Sequence, residues 1–82
     1  MQEVTNIKRF LFLLKETNIV RDLDSFLNMN IYTICMNDEM RKILEEFDVE
    51  TVIDFFQKVP DINPEVKQFR MELADAAKKV FG

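Results

Sequence analysis

Apolar positions along this 82-residue chain recur at helical intervals nearly throughout. Ile7, Phe10, Leu11 and Leu14 share one face at i, i+3, i+4 and i+7, which predicts a first helix from Thr5 or Asn6 to Glu16. Thr5 is its expected N-cap and Asn18 its C-terminal stop. Phe12 and Leu13 fall off that face, one on either side, so the helix is apolar over more of its circumference than a surface helix needs. Two readings stay open. Either this is the central helix of the bundle and buries every apolar residue, or Phe12 and Leu13 remain exposed as an anchor for a partner or a twin chain.

The same spacing continues downstream. A second helix near Val20–Asn28 places Val20, Leu23 and Leu27 on one side with Phe26 beside them. Ile31–Met36 alternates weakly and fits a short helix, a turn or an extended connector. A third helix carries the stripe Met36, Met40, Ile43, Leu44 and Phe47, capped by Asn37 or Thr33, with Asp38 and Glu39 at the positive end of its dipole. Asp48 is the expected N-cap of a fourth helix, with the stripe Val49, Val52, Ile53, Phe56 and Val59 widened by Phe55 and ended by Pro60. The fifth has the clearest start: Asn63 as N-cap, Pro64 at the first helical position and Glu65 in the first turn. Val66, Phe69, Leu73, Ala76, Ala77 and Val80 share its inner face, and the alanines leave room for a neighbour to approach closely.

Composition sharpens this picture. One Gly and two Pro leave few residues for tight hairpins, so a β-rich fold is disfavoured. Hydrophobic residues make up 48% of the chain, and eight Phe supply large areas for a core. The expected fold is all-α: one compact domain over residues 1–82, a bundle of about five short helices. A domain of this size buries only about two thirds of the surface its unfolded chain exposes, so its stability lies near the low end of the usual range.

The residue inventory excludes most chemistry. With no His in the chain, Ser-His-Asp and Cys-His catalysis, histidine metal sites and histidine pH switches are ruled out together. A phosphate-cradling loop needs glycines, and the only one is Gly82. The lone Cys35, between Ile34 and Met36, reads as a buried thiol. Asp22-Leu23-Asp24 has the oxygens of a calcium loop, but Phe26 and Leu27 stand where a ligand and a glycine belong. No enzyme activity, cofactor or metal is therefore expected.

Charge is unevenly placed in a chain of net charge −4. Residues 38–54 carry Asp38, Glu39, Glu45, Glu46, Asp48, Glu50 and Asp54 against Arg41 and Lys42. This acidic band is either a solvated face that aids solubility or a surface that steers a basic partner, with Glu45, Glu46, Glu50 and Asp54 as contact residues. A reading helix carrying Glu50 and Asp54 would repel phosphates, so nucleic acid is not an expected partner. The longest apolar run, Phe10–Leu14, is too short to span a membrane. It follows Lys8 and Arg9 as a secretory signal does, but Lys15 and Glu16 end it early and no small-residue cleavage site follows. A single cysteine suits a reducing cytoplasm. Lys8, Arg9 and Lys15 could also flank an apolar face lying on a membrane, a reading that the negative net charge disfavours.

Asn6-Ile7-Lys8-Arg9-Phe10-Leu11-Phe12, in a short chain rich in Phe, Ile, Asn, Lys and Glu, resembles the small cytosolic accessory proteins of T-even-like bacteriophages, among them their lysis-inhibition accessory proteins. The resemblance spans the whole chain but carries no functional residue across. It implies a cytoplasmic regulator that delays host lysis by binding the cytosolic part of the holin. The expected role is thus non-enzymatic protein–protein binding, with a structural homo-oligomer and a peripheral membrane-surface protein as alternatives.

Overall fold

Caps and stops set the helix boundaries more than apolar spacing does. The computed structural model describes residues 2–35 and 37–82, with side chains from residue 7 onward; the predicted Met36 of the third stripe lies outside the described residues. Five α-helices follow in order: α1 (Gln2–Glu16), α2 (Leu23–Leu27), α3 (Asp38–Glu46), α4 (Val52–Lys58) and α5 (Pro64–Phe81). A 3-10 turn, Ile31–Thr33, stands between α2 and α3. The chain is all-α, and among the described residues only an isolated antiparallel bridge, Asn30 with Thr51, has strand-like pairing.

Three predicted boundaries move. Helix α1 begins at Gln2, so Thr5 is inside it and is not its N-cap; no Pro or Gly stops the helix from extending back. The second helix is shorter than Val20–Asn28, because the Asp22 carboxylate accepts from the Ser25 N–H at 2.9 Å and caps a start at Leu23. Asp48 does not begin α4. It is the left-handed residue that ends α3, at φ 58°, where its N–H donates to the Glu45 carbonyl and the Val49 N–H donates to that of Leu44. This pair of bonds is the Schellman motif. Thr51 caps α4 instead, in a reciprocal box with Asp54. The stop at α1 matches the prediction: Asn18 sits at φ 63°, with its N–H bonded to Lys15 and that of Ile19 to Leu14.

Both left-handed residues carry a Cβ that disfavours the conformation, although Asn and Asp tolerate it best. Asn18→Gly is therefore expected to raise stability by about 0.5–1 kcal/mol, part of the left-handed penalty surviving glycine's greater unfolded-state freedom. Asp48→Gly should shift the same way. Urea unfolding midpoints check both, and a fall in either midpoint would contradict the assignment.

The core is built on α5, whose Val66, Leu73, Ala76, Ala77 and Val80 are all buried. Helix α1 makes the most extensive pairing with it, and α2 touches both α4 and α5. Among the described side chains of α1, Leu11 and Leu14 are buried, with Ile7 and Phe10 packed at the margin. In α2 the buried anchor is Phe26, stacked on Phe81 at 5.5 Å between ring centroids, while Leu23 is partly exposed. In α4 it is Phe55, set against Phe56 and edge-on to Phe69, and not Phe56 or Ile53. The reading of α1 as a wholly buried central helix fails, since Phe12 is 51% and Leu13 52% exposed.

Two cations tie helix ends together. Arg70 on α5 donates to the Phe56 and Val59 carbonyls at the C-terminal end of α4, pairs with Asp61 at 2.9 Å and lies over the Phe55 ring. Lys15 on α1 donates to the Val80 carbonyl in the last turn of α5 at 2.9 Å. Carbonyls at a helix C-terminus lack intrahelical partners and carry partial negative charge, so both contacts answer a standing need.

Candidate protein-contact site

Three surfaces deserve comparison. The first is the outward side of α1. Its inner stripe faces α5, so Phe12 and Leu13, roughly 100° apart round the helix, both project away from the core. Lys8, Phe12 and Lys15 recur at i, i+4 and i+7 and share one strip, with Arg9 three residues before Phe12. The last turn of α5 closes this strip into a recess of about 430 Å³, lined by Lys8, Arg9, Phe12 and Lys15 from α1 and by Lys79 and Val80 from α5. The Lys15–Val80 bond fixes one wall of it. Leu13 is not part of that lining.

The second is the acidic band. Glu45 and Glu46 are exposed at the end of α3, and Glu50 is exposed in the following loop. Antiparallel bonds hold this loop against residues 29–31: Ile31 N–H to the Glu50 carbonyl at 2.9 Å and Val52 N–H to that of Met29 at 3.1 Å. Asp54 differs from the other three. Its Oδ2 accepts from the Glu50 and Thr51 N–H groups, each at 3.2 Å, so its charge is spent on the start of α4. Basic groups also interrupt the band. Lys58 donates to the Asp48 carbonyl at 3.1 Å, and Arg41 lies over the Tyr32 ring. Tyr32 is half-buried and donates to the Val49 carbonyl; burial, then the Glu45 charge, push its phenol up from the ordinary value.

Those two backbone donors hold the Asp54 carboxyl below its ordinary 3.8. A carboxyl that titrates lower folded than unfolded adds stability above pH 3.8, and loses it as the pH falls through the folded value. Acid unfolding of the wild type should therefore steepen below pH 3.8, and Asp54→Asn should flatten that limb. Denaturant midpoints across pH 2.5–6, roughly the carboxylate titration range, test this. Identical slopes in both chains would contradict it.

The third is a recess of about 600 Å³ where α1, α3 and α5 meet, with Ile7, Ile34, Cys35, Met40 and Phe69 among its apolar lining and Glu65 and Glu72 beside them. Cys35 is 1% exposed, and burial pushes its thiol up from the ordinary value. Its Sγ reaches the Asn37 carbonyl at 3.7 Å, and burial favours the thiol over the reactive thiolate. Among the described residues no three His, Cys, Asp or Glu side chains come together as a metal site. Nor is any described helix long and apolar enough to cross a membrane.

The sequence therefore marked Phe12, Leu13, Glu45, Glu46 and Glu50 at positions that are exposed, whereas Asp54 is half-buried and serves as a cap. The structure does not unite the two groups: the lining of the Phe12 recess comes from α1 and α5 alone. Lys79 escaped the sequence reading because only tertiary pairing brings α5 beside Phe12. Met71 is also exposed, while Met29 and Tyr32 pack on the core. Compared with protein-family models, curated proteins and solved structures, the chain finds no match in any of the three.

Proposed function

We propose that this chain is a non-enzymatic protein-binding module acting in the cytoplasm, and that it contacts its partner through the outward side of α1. One observation carries the reading: Phe12 and Leu13 are each about half exposed on a helix whose inner face is already satisfied by α5. An isolated exposed leucine needs no explanation. Two adjacent large apolar side chains beside a cation-lined recess do, because their exposure costs solvation free energy that only a covering surface recovers.

A second reading uses the acidic ridge of Glu45, Glu46 and Glu50, whose exposed carboxylates suit a basic partner segment. The resemblance to phage lysis-inhibition accessory proteins supplies one partner of that kind, the cytosolic part of a holin.

Comparative affinity capture separates the two. Wild-type chain, a Phe12→Ser/Leu13→Ser variant and a Glu45→Lys/Glu46→Lys variant are used as bait in cells that produce the protein. Loss of a specific partner with the first variant, and its retention with the second, is expected. The opposite pattern would move the contact to the ridge, with a holin segment as the product to look for. Light scattering settles self-association: a dimer that Phe12→Ser/Leu13→Ser dissolves would make the partner a second copy.

A further inference from the structure

We propose that the recess between α1 and the last turn of α5 receives an acidic amphipathic segment of a partner protein, one large apolar side chain of which covers Phe12 while its carboxylates meet the surrounding cations. The inference rests on the reading of α1 as a protein-binding face and names the chemistry of what binds there.

The frame follows from helical spacing. Lys8 precedes Phe12 by one turn, Arg9 by three residues, and Lys15 follows by three, so three cations of α1 surround one aromatic ring. Helix α5 adds Lys79 from the opposite wall. Lys15 spends one ammonium donor on the Val80 carbonyl, which fixes its position at the recess and leaves two donors for a ligand. Lys79 pairs with Asp75 at 3.3 Å, but both side chains are more than half exposed, so that bond is weak and a partner carboxylate can replace it. Four cations converge here in a chain of net charge −4, whose densest run of acids, residues 38–54, lies on α3, the loop after it and the start of α4.

Shape and charge choose between anionic partners. A bilayer is a broad surface, whereas this site is concave and Phe12 is the large exposed apolar group in it. Glu16, one turn beyond Phe12 on the same strip and exposed, would face the headgroups of an anionic membrane. A nucleic acid backbone requires a continuous basic track, and the acids elsewhere on the chain oppose one. A peptide can instead place its own lysine or amide opposite Glu16 and its carboxylates opposite Lys8, Arg9, Lys15 and Lys79.

The test uses the full chain and three labelled synthetic peptides with leucines at helical spacing and Glu, Gln or Lys between them. Fluorescence anisotropy reads affinity, and amide chemical shifts locate the site. The Glu peptide is expected to bind saturably, to shift residues 8–15 and 78–81, and to lose affinity as salt is raised. Lys8→Glu/Lys79→Glu should weaken it about tenfold or more, by reversing charge at the contact; if that variant does not fold, Lys8→Gln/Lys79→Gln replaces it with a smaller expected loss. Phe12→Ser should weaken it as well. The inference is overturned if the Glu peptide binds no better than the Gln peptide, if the charge-altered variants bind unchanged, or if phosphatidylglycerol vesicles or duplex DNA bind the recess in its place. Phe12-dependent binding of the Gln or Lys peptide would sink the acidic partner yet leave the protein-binding face standing. If no peptide binds and Phe12→Ser leaves affinity capture unaltered, both fall.

Discussion

Phe55→Ala is expected to unfold this protein or bring it to the edge of unfolding, at a cost of about 3–5 kcal/mol. Phe55 is 0% exposed on the short helix α4, with Phe56 at 5.4 Å, Phe69 edge-on at 5.3 Å and the Arg70 guanidinium 5.0 Å from its ring centre. Truncation removes the apolar contact, both aromatic pairings and the cation's seat, and leaves a cavity under a helix of only seven residues. A small domain has total stability near the low end of about 5–15 kcal/mol, so a loss of this size consumes most of it. Phe56→Ala, at a half-buried site, should cost distinctly less. Circular dichroism melts of the two variants decide the matter, and equal losses would contradict the assignment of Phe55 as the core anchor.

Arg70→Met comes next in size, with an expected loss of about 2–3 kcal/mol. The side chain is only 22% exposed and bonds two carbonyls at the end of α4 as well as Asp61. Methionine keeps much of the packing over Phe55 and removes every donor, so the loss measures the polar contacts. Unmet carbonyls at a helix C-terminus account for most of it. Arg70→Lys should recover little, because an ammonium cannot span both carbonyls and the carboxylate as a planar fork does. Urea midpoints for the three chains test this, and full rescue by lysine would show that charge alone matters.

These two residues also show what the sequence could and could not reveal. Helical periodicity located all five helices, and the inner face of α5 was read residue by residue. Which aromatic of a pair turns inward was harder. Phe55 and Phe56 are adjacent, so both fit a broad stripe, and only the placement of α5 selects Phe55. Asp48 is ambiguous in the sequence because Asp suits both an N-cap and the left-handed stop it forms here. The Thr51-x-x-Asp54 pattern before an apolar run was the better start signal and was present in the sequence. Arg70 could not be foreseen, since its partners lie nine to fourteen residues upstream across a turn of the chain.

The proposed contact face was half legible. The excess apolar circumference of α1 was visible in Phe12 and Leu13, and Lys8, Arg9 and Lys15 were visible beside them. Whether that excess was core or surface depends on how much of α1 its neighbours cover, a property of the assembled bundle. Asp54 looked like part of a charged surface because a carboxylate that caps a helix and one that meets solvent are the same letter. The acidic ridge loses one of its four marked residues to that role.

Photocrosslinking from position 12 probes the proposed face most directly. A benzophenone amino acid replaces Phe12 in the full chain, and a control carries it at exposed Lys67 on α5, away from the recess. If α1 presents a protein-contact face, irradiation of cells producing the chain yields one discrete adduct from position 12 that position 67 does not give. Matching faint products from both positions, with the folded chain present in each, would show that Phe12 is merely exposed and that the face binds nothing.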